Sequence, residues 1–133
     1  MKITRDSRKD KRVRMRVLLK YAPTAGGELI QVRNIHDISM GGLSFLLDQE
    51  LAPETQLKIS ILFPSWRKTP IENIDAKVVN CLLYRKHQPP FRVGVQFLNL
   101  PEEKKNDLRS ALGDLLKKRN KDSILLNFVI RKN

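Results

Sequence analysis

Short runs in which apolar and polar residues alternate fill most of the chain, and this period of two restricts the fold more than any other feature. Val13, Met15, Val17, Leu19 and Tyr21 alternate with Arg14, Arg16, Leu18 and Lys20, the pattern of a half-buried strand. Ala25-Gly26-Gly27 offers a tight turn, and Leu29 to Ile35 reads as a second strand pairing back on the first. Leu43 to Leu47 is a third apolar run. Leu57, Ile59, Ile61 and Phe63 alternate with Lys58, Ser60 and Leu62 as a fourth strand, after which Pro64 to Pro70 interrupts the pattern as a loop. Ile74 to Tyr84 follows as a long fifth strand. After Pro89-Pro90, Phe91, Val93, Val95 and Phe97 alternate with Arg92, Gly94 and Gln96 as a sixth. Short strands at this spacing predict an all-β fold, a six-stranded antiparallel barrel that is closed or nearly closed.

The pattern then changes period. Leu108, Ala111, Leu112, Leu115 and Leu116 recur at helical spacing, so a C-terminal α-helix is expected to pack on the barrel. Pro101 suits its first position, Glu102 and Glu103 suit the positive end of its dipole, and Lys117, Lys118 and Arg119 suit the other end. Three segments are therefore expected. Residues 1–12 form a flexible basic arm, 13–119 the barrel with its closing helix, and 120–133 an extension that fits either a short helix or a strand. A chain of 133 residues has room for one such core. Cys81 is the only cysteine, which excludes an intramolecular disulfide and favours the reducing cytosol. No apolar run is long enough for a membrane span or a signal peptide, so a cytoplasmic protein without membrane insertion is expected.

Charge narrows the choice of partner. The formal net charge is +12, a balance that attracts phosphates of any kind. Between Lys2 and Arg16 eight basic residues face only Asp6 and Asp10, a surplus of six that is half the excess of the whole chain. By itself such a run is most often a solvated arm. A second feature lies between two strands: Asp37-x-Ser39-x-x-Gly42. A carboxylate accepts two donors at once, the pattern that N1–H and the N2 amino group present on a guanine edge. Ser39 adds a short hydroxyl, and Gly41 and Gly42 permit positive φ and close approach of a flat ligand. Asp, Ser and Gly also favour turns for local reasons, so this motif alone reads first as a turn.

Arg8-x-x-x-Arg12 ahead of the first strand, taken with Asp37-x-Ser39-x-x-Gly42 after the second, resembles the two-part signature of PilZ domains. Ser39-Met40-Gly41-Gly42-Leu43 before an apolar strand, and Arg92-Val93-Gly94-Val95-Gln96-Phe97 before a closing helix, are similar to the middle and end of that family. The resemblance runs from about Arg5 to Leu116. It implies a barrel of the split-barrel type with a C-terminal helix, and a bacterial receptor for the second messenger cyclic di-GMP. It also implies roles. Arg8 and Arg12 would grip phosphates and stack on or hydrogen-bond to guanine, Asp37 and Ser39 would read guanine edges, and Gly42 would shape the turn. Arg5, Lys9, Gly41 and Arg16 are further candidates for the same site. Arg12-x-x-x-Arg16 has the spacing of the first motif too, but Arg14 and Arg16 share a strand face, so Arg8 and Arg12 are the expected pair. Many family members carry an additional Arg directly before the motif, where this chain has Ser7; one and two ligand molecules per site both stay open, with one preferred. The resemblance further implies a downstream protein partner and a part in motility, attachment or exopolysaccharide control.

Other chemistry finds little support. His36, Asp37 and Ser39 contain the letters of a hydrolase triad, yet chain neighbours rarely place a base between nucleophile and acid, so no catalytic residue is assigned. His36 and His87 with one cysteine make no recognisable metal set, and no cofactor is expected. Cys81 reads as a small core residue. The rival function is a basic barrel that binds single-stranded nucleic acid, which needs aromatic stacking platforms. Aromatics are 6% of the chain, and Phe45, Phe63, Phe91 and Phe97 fall on strand faces that read as core, so nucleic acid is the less favoured partner. A PilZ-like adaptor that has lost ligand binding is the third possibility.

Overall fold

A computed structural model describes residues 17–32, 34–85, 88–122 and 129–130. The strands are β1 (Leu18–Pro23), β2 (Ile30–Val32), β3 (Asn34–Ile38), β4 (Gly42–Leu47), β5 (Gln56–Leu62), β6 (Ile71–Arg85), β7 (Gln88–Phe97) and β8 (Val129–Ile130), with α1 (Glu102–Asp122) between the last two. All eight lie in one sheet, ordered β2-β1-β5-β6-β7-β4-β3-β8. Because β2 and β3 follow one another in the chain yet stand at opposite sides of the first seven strands, the chain itself draws the two sides together. The sheet is a nearly closed antiparallel barrel with one C-terminal helix, the expected fold class.

One expected strand differs from the sequence reading. The strand expected over Leu29 to Ile35 is two strands, β2 paired with β1 and β3 paired with β4, because the chain changes partner at the barrel's corner. The first strand is described from Leu18, and its expected beginning at Val13 lies outside the described residues. The final stretch, open between helix and strand, supplies β8, which runs parallel to β3 with Asp37 opposite Val129 and Ile38 opposite Ile130.

Alternation explains the core. Leu57, Ile59 and Ile61 of β5 point inward at no more than 1% exposure, while Lys58, Ser60 and Leu62 between them are half-buried. Leu43 and Phe45 of β4 lie against Val95 and Val93 of β7, residue opposite residue, and all four are buried. Burying such side chains stabilises by about 1.5–3 kcal/mol each. Tyr21 and Phe45 meet at a ring separation of 5.8 Å. Leu108, Ala111, Leu112 and Leu115 of α1 join the same core, so the helix closes the barrel. The loop after β5 secures it: Arg67 pairs with Asp107 at 3.3 Å, and the Ser65 hydroxyl donates to Asp114 at 3.4 Å. Trp66 in that loop packs edge-on to Phe63 and carries the Arg67 guanidinium 4.4 Å above its ring, so it covers the barrel. Cys81 is half-buried against the core, and its sulfur accepts the Leu51 N–H at 3.4 Å. No helix among the described residues is long and apolar enough to cross a membrane.

Candidate functional site

The end of β3 and the start of β4 are joined by the turn that carries Asp37, Ser39, Gly41 and Gly42, so the structure brings these four candidates together. The turn is held from within. The Ser39 N–H donates to the Gly42 carbonyl at 2.8 Å, the Ser39 hydroxyl donates to the same carbonyl at 3.3 Å, and the Gly41 N–H donates to the Ser39 hydroxyl at 3.2 Å. Ser39 is only 3% exposed, so its hydroxyl serves the turn. The Phe97 N–H donates to the Gly41 carbonyl at 2.9 Å and ties the turn to the end of β7.

Gly42 is required for a steric reason. A Cβ there would come 2.1 Å from the Val95 carbonyl oxygen, an impossible contact with backbone that cannot step aside. Its backbone does not adopt the positive φ that the sequence reading allowed for; close approach of β7 sets the requirement.

Asp37 faces the outer side of the sheet. Its carboxylate accepts the Ser44 hydroxyl at 2.7 Å, and its side chain is 16% exposed, which makes it a half-buried acceptor beside a groove. His36 Nδ1 lies 3.7 Å from the other carboxylate oxygen. The groove has a volume of about 350 Å³ and is lined by Asp37, Ser44, Asn80, Arg92 and Gly94 among others. On the other side of the turn a second hollow of about 420 Å³ lies against α1, lined by Met40, Gly41, Lys105 and Arg109. A larger hollow of about 580 Å³ opens by Asn34, Leu47 and Asp48 and holds none of the predicted residues. Arg5, Arg8, Lys9, Arg12 and Arg16 lie outside the described residues.

Sequence reasoning missed Ser44 and Asn80 and noticed Arg92 only as part of a family-like run. The available signal was parity: Ser44, Gly94 and Arg92 occupy the outward positions between inward Leu43, Phe45, Val93 and Val95. Among the aromatics that a nucleic-acid binder would need as stacking platforms, Phe45, Phe63 and Phe97 are buried and Phe91 packs partly against the core.

Comparison with known proteins agrees with this fold. The family model described as "PilZ domain" matches residues 6–114. Comparison with curated protein sequences gives no match. Among solved structures, the chain is similar to the PilZ domain with c-di-GMP of YcgR from Escherichia coli, at a TM-score of 0.61 and 18% identity, covering 82% of this chain and 89% of that one. It is also similar to the Bacillus subtilis inhibitor of motility (MotI/DgrA), at a TM-score of 0.59 and 20% identity, covering 80% of this chain and half of that one. At such identities the likeness to these structures concerns the fold.

Proposed function

This chain belongs to the PilZ domain family, and from that premise we propose that it is a receptor for cyclic di-GMP that changes conformation on binding and acts through a protein partner. The observation that carries the reading is the braced carboxylate: Asp37, half-buried at the rim of an outer-face groove and held by Ser44, is an acceptor set in place before any ligand arrives. A fixed acceptor loses little entropy on binding, and its desolvation penalises ligands without matching donors.

In this reading Arg8 and Arg12 supply planar, permanently charged groups for the phosphates and for stacking on guanine. Asp37 accepts N1–H and the N2 amino group of a guanine. Ser39, Gly41 and Gly42 hold the turn that presents Asp37, and Arg5, Lys9 and Arg16 add to the attracting field. The protein is an adaptor that catalyses nothing and works in the cytoplasm. The segment 1–12 is its ligand-closing arm, 13–119 its barrel and helix, and 120–133 its extension. Ordering the arm over the ligand changes the surface offered to a partner. Motility is the favoured process, supported by the structural likeness to the Bacillus subtilis inhibitor of motility. The buried state of Phe45, Phe63 and Phe97 weighs against the rival nucleic-acid binder, which needs exposed rings.

The test is binding by two variants, each first checked for native fold. Arg12→Ala and Asp37→Ala are each expected to weaken cyclic di-GMP binding by roughly 100-fold, the effect of removing one partner of a charge-assisted contact. Unchanged affinity in both folded variants contradicts the site.

A further inference from the structure

The groove beside Asp37 has a far wall for which the motif residues provide no role. Its residues form one row across four strands: Asp37 of β3 stands opposite Ser44 of β4, Ser44 opposite Gly94 of β7, and Gly94 opposite Asn80 of β6. Arg92, two residues before Gly94 and therefore on the same face of β7, lines the same hollow. Gly94 leaves room in this row for the Asn80 amide: a Cβ there would lie 2.8 Å from Asn80 Oδ1. None of the ion pairs among the described residues includes Arg92.

Asp37 and Arg92 thus flank one groove from strands two positions apart, a separation of about 10 Å between backbones. Both line the same hollow of about 350 Å³. The two walls differ in kind. The carboxylate only accepts, whereas the guanidinium only donates, through a fork that matches two adjacent acceptors. Guanine presents donors at N1 and N2 on one edge and acceptors at O6 and N7 on another. Adenine presents its N6 amino donor where guanine has O6, which sets a donor against the guanidinium.

We propose that Arg92 is a specificity-determining residue of this site, reading O6 and N7 of the same guanine whose N1–H and N2 edge is accepted by Asp37. The proposal rests on the cyclic di-GMP reading above and adds to it the means by which the site selects guanine.

The experiment compares cyclic di-GMP with its 7-deazaguanine analogue, in which a C–H replaces N7, by calorimetric titration of the native chain, Arg92→Ala and Arg92→Gln. The native chain should bind the analogue roughly 10-fold more weakly, the order expected for half of a bidentate contact. Arg92→Ala should bind cyclic di-GMP roughly 10- to 100-fold more weakly and no longer distinguish the two ligands. Arg92→Gln, which keeps most of the side chain's bulk, should lose the same discrimination. Circular dichroism verifies that both variants fold. Native affinity in the folded variants, or equal weakening of both ligands with their ratio preserved, overturns the assignment and leaves the receptor reading intact. No binding of cyclic di-GMP by the native chain overturns both.

Discussion

At Gly42 the backbones of β4 and β7 approach so closely that a single methyl group would strike the Val95 carbonyl. Gly42→Ala is therefore expected to lower the unfolding free energy by about 1–3 kcal/mol, the range for forced overpacking, as measured by urea denaturation. A change within about 0.5 kcal/mol would show that the strands separate easily there. Asp37→Ala should behave differently, since it removes one hydrogen bond at a half-buried position and stability falls by only about 1 kcal/mol while cyclic di-GMP binding weakens by roughly 100-fold. The sequence named Asp37, Ser39 and Gly42 together because residue types suited to guanine and to turns coincide there. What residue type alone did not show was the structural labour: the Ser39 hydroxyl braces the turn, and Gly42 answers to β7. Ser44 and Arg92 were legible only in part, since parity shows that a side chain points outward but not which strand passes beside it.

Among the elements, strands were readable wherever one face is dry and the other wet. β5 follows its alternation through its length, whereas β6 does not. Its register against β7 shifts between Val78 and Asn80, and both Val79 and Asn80 turn outward before Cys81 returns inward opposite Val93. That irregularity places Asn80 in the groove, and no local sequence signal announces it, because a bulge depends on both strands. The break between β2 and β3 has no sequence signal for a similar reason, as a change of partner leaves alternation intact. The helix was legible from its leucines, although it continues past Arg119 to Asp122. β8 was not, since a two-residue strand has too little pattern to read. Leu115 is fully buried where α1 meets the barrel. Leu115→Ala should cost about 2–5 kcal/mol of stability in denaturant unfolding. A cost below about 1 kcal/mol would mean that α1 contributes little to the core it joins.

For the molecule as a whole, charge and shape divide the work. A net charge of +12 draws in any anion and so explains attraction without explaining choice. In the function proposed above, choice resides in the outer face of the barrel, where β3, β4, β7 and β6 set an acceptor, a hydroxyl, a glycine and an amide in one row with a guanidinium beside it. The match to residues 6–114 includes both Arg8-x-x-x-Arg12 and Asp37-x-Ser39-x-x-Gly42, so the two parts of the proposed site fall within one family unit. Calorimetric titration of the chain with cyclic di-GMP, with GTP and cyclic di-AMP as controls at moderate salt, tests the central claim most directly. Saturable binding of cyclic di-GMP at one ligand per chain, with no comparable binding of either control, is the predicted result; no binding by a folded chain, or equal binding of all three, would contradict it.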